Sequence, residues 1–286
     1  MTDSLTPAAD LPWTLQSPFR MRPGLARLPE DGAPVALFRR DALAPAYAEG
    51  KRAALAQRER CQIGTPDPQV LRAIAQAYAA QTGVDLAAEA DGLAVGMQED
   101  FVILHDEEEA GTTTMRARFL SVCFPSNWAP AEKLGLDFAA IHAPVADNAL
   151  LQTGARGIID MAFRQAPMLR HVWLLTPNGD LAQHPETRRT RWEDALAAAD
   201  APGGSGRLLD QVFFRVERQT TLPLPALRRG VFFIRVMAAP LAGVLAVAPG
   251  RAIELCETLA SMSEAVVAYR GMTAVRDRLC AELRRF

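Results

Sequence analysis

Histidine is scarce in this 286-residue chain, represented by His105, His142, His171 and His184 alone. His142 lies in the stretch FPSNWAPAEKLGLDFAAIHAPV, residues 124–145. Leu134, Phe138, Ile141 and Val145 recur around it at helical spacings, so its side chain is expected against apolar neighbours. Pro144 follows closely and stops the helix, which leaves His142 in the last turn.

Two readings of His142 stay open at this point. One is a core histidine stabilised by the helix C-terminal dipole and bonded to a carbonyl. The other is an axial imidazole ligand to haem iron. That role needs a nitrogen donor on a rigid element in an apolar slot, with the other ring nitrogen oriented by a hydrogen bond. His105 ends a strand beside three glutamates and reads as a surface residue. His184 precedes Pro185 in a charged connection, and His171, flanked by Arg170 and Trp173, reads as a pocket-wall residue. No two histidines stand four apart, which excludes a two-histidine helical metal motif, and GxSxG is absent. Cys61, Cys123, Cys256 and Cys280 form no CxxC pair, so neither a zinc site nor an iron–sulfur cluster has its ligands.

The strand VFFRVERQTT mixes charged and apolar residues on both faces: Phe213, Arg215, Glu217 and Gln219 on one, Phe214, Val216, Arg218 and Thr220 on the other. It reads either as an edge strand carrying salt bridges or as a wall that brings Arg218 into a pocket to pair with a carboxylate. Arg235, alone among apolar residues in VFFIRVMA, is placed similarly.

The elements that must position these residues follow from periodicity. Residues 40–60 read as a helix with Pro45 near its start. Asp67-Pro68 opens a second helix that closes at Gly83. DFVILH and TMRARFLSVCF form a hairpin around the acidic loop DEEEAGTT, which reads as a solvated tip. Residues 129–143 give one or two short helices, and 149–165 a longer one interrupted or bent at Gly154 and Gly157. Leu169 to Pro177 is a strand, turned by Asn178-Gly179 into residues 180–183. APGGSG at 201–206 lacks phosphate-loop spacing. Residues 211–220 and 230–239 are strands joined by a Pro-rich turn, and 252–268 and 273–285 are helices. Strands gather in the middle with helices before, between and after: an α+β fold with an antiparallel sheet and helical extensions at both ends, not alternating βαβ units.

With 49% apolar residues the chain can bury a sizeable core, and a net charge of −2 argues against a nucleic-acid partner. No apolar run is long enough to span a bilayer, and the first residues lack a secretory pattern, so the expected location is cytoplasmic. Residues 1–20 are expected to form a flexible or draped arm with Trp13 and Phe19 as anchors, and 21–286 a single domain.

Taken together, several of these segments resemble the haem-dependent oxidative N-demethylase α-subunit family. The carriers are CFPSNWAPAEKLGLDFAAIHAPV, RPGLARLP, QEDFVIL, FRVERQT with its Pro-containing turn and VFFIRV, and AYRGM, in that family's order over most of residues 21–271. The resemblance implies a PAS-like antiparallel sheet flanked by helices, with haem b in a pocket and His142 as its iron ligand. It implies oxidative removal of a methyl group from a small secondary amine using dioxygen. Electrons would come from NADPH through a separate flavin and iron–sulfur reductase. On that basis Arg215, Arg218 and Arg235 become candidates for pairing haem propionates, and Trp128 of PSNW for cofactor contact. Glu217 becomes a candidate for holding the protonated amine, and His171 a candidate distal residue. His171-Val172-Trp173 replaces the asparagine-rich approach expected there, and Ala146 replaces a proline. The alternatives are a non-enzymatic haem-based gas or haem sensor, and an interaction domain without cofactor. A homo-oligomer is compatible with all three.

Overall fold

A computed structural model describes residues 4–28, 36–109 and 112–286. Its centre is a seven-stranded sheet, antiparallel throughout, built from β1 (Ala26–Arg27), β2 (Gln62–Gly64), β3 (Asp100–Glu109), β4 (Thr112–Ser121), β5 (Met168–Thr176), β6 (Phe213–Leu224) and β7 (Arg229–Pro240). Their spatial order is β1-β5-β6-β7-β3-β4-β2. The helices are α1 (Ala44–Leu55), α2 (Arg58–Cys61), α3 (Pro68–Thr82), α4 (Ala90–Gly96), α5 (Phe138–His142), α6 (Ala149–Ile159), α7 (Trp192–Asp200), α8 (Leu241–Leu245), α9 (Arg251–Ala260), α10 (Glu264–Tyr269) and α11 (Arg276–Leu283). The fold is α+β, as the sequence pattern requires. Among the described residues no helix is long and apolar enough to cross a membrane.

Local chemistry accounts for the clearest elements. The Asp67 carboxylate accepts the amides of Gln69 and Val70 at the start of α3, and Gly83 closes it at φ 71°. Val70, Leu71, Ile74 and Tyr78 form its buried stripe.

The pairing register sorts the sheet's side chains onto two faces. On one, Trp173, Leu175, Phe214, Val216 and Met237 pack under the C-terminal helices. Farther along that face, Phe101, Ile103, Val231 and Phe233 pack under α3 and α4. Between these two cores lies a polar stripe, His171 opposite Arg218 and Arg218 opposite Arg235. On the other face, Val102, Leu104, Ile159, Phe163 and Met168 form one core, and Tyr47, Phe124, Val236 and Ala238 another. Trp128 packs against both of these. Arg170, Val172, Leu174, Arg215, Glu217 and Gln219 belong to this second face by alternation.

Several sequence expectations change. β6 is an interior strand, not an edge: Arg215 and Arg218 find hydrogen-bond acceptors in loops on either side of the sheet. Asn178-Gly179 is not a hairpin turn. The Asn178 side chain accepts the amide of Asp180 and donates to the carbonyl of Thr190, and residue 183 then bridges Ser126 in parallel. The acidic stretch after His105 is largely strand, with Asp106 bound to Arg164 and Glu107 to Arg118. Its tip, residues 110–111, lies outside the described residues, as does Pro29 of RPGLARLP. The helix expected at 149–165 runs through both glycines and ends in a π-helical turn, Asp160–Gln165. The helix expected at 252–268 divides where the Ser263 hydroxyl caps α10. The N-terminal arm is seated: Trp13 lies 5.2 Å from the Phe214 ring and donates to Glu254, and the Phe19 amide donates to Ser261. The four thiols are free and buried, as expected, but they are scattered only in sequence. Cys61 lies against Cys123, and Cys256 against Cys280.

Candidate functional site

α5 is five residues long and owes its definition to caps. Asp137 accepts the Ala140 amide at its start, while Asn148 donates to the carbonyls of His142 and Ala143 at its end. Gln152 of α6 also donates to the Ala139 carbonyl. None of the α5 residues is fully buried. Its apolar side chains Phe138 and Ile141 are only partly covered as they pack beside Trp128 and Phe232.

On this short rigid turn, His142 Nδ1 lies 2.8 Å from the Phe138 carbonyl. A carbonyl can only accept, so Nδ1 carries the proton and Nε2 keeps a free lone pair. The imidazole and the Phe138 ring lie 4.1 Å apart. Burial lowers the His142 pKa, Arg170 and Lys133 add to the effect, and the Phe138 bond opposes it. The ring is therefore neutral near pH 7, the form that ligates a metal. The core reading and the ligand reading of His142 both required one bonded nitrogen; the structure adds the partly exposed apolar setting and the available second nitrogen.

A polar chain lies on the same face of the sheet. The Ser126 hydroxyl donates to Glu217, and Gln219 donates to the other Glu217 oxygen at 2.7 Å. Ser126 in turn accepts from Arg215 Nε at 2.9 Å. Glu217 is 8% exposed, and each carboxylate oxygen retains a lone pair for a further donor. This chain joins the PSNW segment to RVERQT, two motifs that are distant in sequence.

The arginines chosen from sequence are engaged by the protein itself. Arg215 is fully buried and, beyond Ser126, donates to the carbonyls of Phe124, Pro125, Asp180 and Leu181. It bolts the PSNW loop to residues 180–181, so its expected pairing with a propionate gives way to an internal clamp. Arg218 donates to the carbonyls of Ala36 and Leu37, and Arg235 to Arg39 and Asp41. Both lie on the sheet face opposite Glu217, with His171. The structure does not bring them to His142. His171 stands beside Arg218 and Arg39, which together with burial lower its pKa to about 4. Trp128 and Glu217, by contrast, share the face that α5 covers. His105 is half-buried rather than fully at the surface, and its Nε2 is buried without a hydrogen-bond partner among the described residues.

The sequence reading named Arg170 only as a neighbour of His171. It alternates onto the face of Glu217, its charge helps lower the His142 pKa, and burial lowers its own pKa while Glu217 opposes that. Only the pairing register reveals it. Two surface clefts, one lined by Arg72, Ala75 and Leu86 and the other by Met262, Arg276 and Cys280, lie away from all these residues.

Among the described residues no three histidine, cysteine or carboxylate side chains converge as a metal-binding set. A bare ion would find no chelating cage here. One neutral imidazole with an oriented Nδ1, beside partly covered aromatic and aliphatic side chains, suits iron already held by a macrocycle. Residues 49–280 match the family model described as haem-dependent oxidative N-demethylase, alpha subunit-like, and the chain belongs to that family.

Proposed function

We propose that the chain is the haem-holding component of an oxygen-activating oxidative N-demethylase, with His142 Nε2 as the iron ligand. The observation that carries this reading is the Nδ1–Phe138 bond, which leaves Nε2 free on a capped turn within the family-matched region. The family's description supports haem dependence and N-demethylation. The finer assignments are haem b, a small secondary amine as substrate, and electrons from NADPH delivered by a separate flavin and iron–sulfur protein.

When bound, haem supplies dioxygen activation and oxidation of the N-methyl group. The chain's own residues bind and orient. Phe138 holds the His142 tautomer. Phe138, Ile141 and Trp128 provide the apolar surface against which a flat macrocycle can exclude water. Glu217, oriented by Ser126 and Gln219, offers a fixed negative charge for a protonated amine.

The test begins with the absorption spectrum of the apo-protein titrated with haemin. A Soret band that is lost or shifted in His142→Ala, with the fold retained by circular dichroism, supports ligation. Protein that takes up no haemin sinks the reading. With an electron source and a panel of secondary amines, formaldehyde release is expected, and Glu217→Gln should raise KM more than it lowers kcat. Haem uptake without turnover of any amine would point instead to a sensor.

A further inference from the structure

We propose that Arg170 anchors a carboxylate carried into the site beside His142, an assignment that rests on the haem reading above. Arg170 pairs across the sheet with Gln219, and its next same-face neighbours are the pair Val172–Glu217. β1 pairs with β5 only at Met168 and Leu169, so among the described residues no strand covers the outer edge of β5 from Arg170 onward. Arg170, Val172 and Leu174 are partly exposed along that edge.

Arg170 is only partly buried, and it differs from the arginines that the fold encloses in one respect. Arg215, Arg218, Arg235 and Arg270 each donate to backbone carbonyls. The Arg170 guanidinium makes no hydrogen bond and no ion pair with any described residue, although the Glu217 charge reaches it. A partly buried guanidinium with five donors and no acceptor among the described residues is free to bind a ligand that supplies oxygens. Its planar fork matches a carboxylate in two-point geometry. Glu217 is already committed to Ser126 and Gln219 and does not close on Arg170.

Two sources fit this chemistry. One is a haem propionate. The other is the carboxylate of an N-methylated amino acid, whose ammonium would then lie toward Glu217.

The experiment compares wild type with Arg170→Met and Arg170→Lys by absorbance titration of the apo-protein. The probes are haemin, haemin dimethyl ester, and then N-methylglycine and dimethylamine added to the haem-loaded protein. A propionate anchor predicts that Arg170→Met binds haemin about tenfold more weakly and the diester as wild type does. A substrate anchor predicts unchanged binding of both haems, with N-methylglycine weakened about tenfold and dimethylamine unaffected. Arg170→Lys, which keeps the charge without the fork, should recover part of whichever loss occurs. Equal binding of all four probes by Arg170→Met overturns the inference, as does an equal loss for haemin and its diester. If the wild type takes up no haemin, the haem reading itself falls and this assignment falls with it. If wild type loads normally and only the Arg170 comparison fails, the haem reading stands.

Discussion

The Ser126 hydroxyl donates to the Glu217 carboxylate across 91 positions of sequence, and the same oxygen accepts from Arg215. This one hydroxyl fixes a carboxylate in the site and satisfies a buried cation beneath it. Ser126→Ala removes both functions without adding bulk. The expected loss of stability is about 1–3 kcal/mol, the cost of leaving a buried polar partner unsatisfied. Urea unfolding of the apo-protein measures it, and a change below the error of the method would show that the contact carries no weight.

Arg215 provides a sharper test, because its two possible roles separate in the apo-protein. As a propionate partner its loss would weaken haem binding and leave the empty protein stable. As the clamp of residues 124–126 and 180–181, its replacement in Arg215→Leu strands several buried carbonyls. Each stranded carbonyl costs about 1–3 kcal/mol, so the expected destabilisation is about 3 kcal/mol or more before any haem is added. Arg215→Lys should be only partly better, because a point charge cannot reach both segments as the guanidinium fork does. Unaltered apo stability with lost haem affinity would restore the propionate role.

Much of this architecture was legible from sequence wherever the signal is local. α3 is defined by Asp67, Pro68 and Gly83, all at or next to its own ends. β3, β6 and β7 follow from their apolar runs, and the DFAAIH turn from its helical spacing and the proline after it. The misreadings were long-range. VFFRVERQTT resembles an edge strand because its charges appear unmatched in sequence, yet Arg215 and Arg218 find carbonyls 34 to 182 positions away. Asn178-Gly179 has the composition of a hairpin turn, but Asn178 spends its side chain on Asp180 and Thr190, and residue 183 joins Ser126 instead. In the candidate site, His142 stands out from a sequence motif. That Glu217 shares its face while His171, Arg218 and Arg235 do not depends on pairing register, which a lone strand sequence leaves open.

Lys51 shows the same limit inside a helix whose composition reads as solvent-facing. Its side chain is wholly buried, with Nζ 2.6 Å from the Glu99 carbonyl and 3.0 Å from Asp100. Asp100 also accepts the Phe124 amide, so the pair ties α1 to the start of the PSNW loop. Lys51→Met leaves a buried carboxylate uncompensated and should cost about 3–5 kcal/mol. Lys51→Met combined with Asp100→Asn should recover part of that loss, since the remaining group is neutral and still able to accept. The midpoints of chemical denaturation for the single and double variants check this. A double variant less stable than the single one would rule out charge burial as the cause.

His171 contributes to the acid limb of stability. Burial, Arg218 and Arg39 hold its folded pKa near 4, below the ordinary value of 6.5. The unfolded chain therefore binds a proton more readily than the folded one between these limits, so stability must fall as pH drops from about 6.5 toward 4. His142 and His105 are also lowered by burial and act with the same sign. His171 is partly exposed, so solvent screening limits its share to about 1–2 kcal/mol across that window. His171→Gln cannot take up that proton, and its stability should decline less steeply over the same pH range while matching wild type more closely near pH 7. Urea unfolding at intervals from pH 7 to 4 gives both slopes. Parallel curves for the two proteins would mean that His171 takes up its proton equally well in the folded and unfolded states, and that the Arg218–Arg39 neighbourhood does not shape its titration.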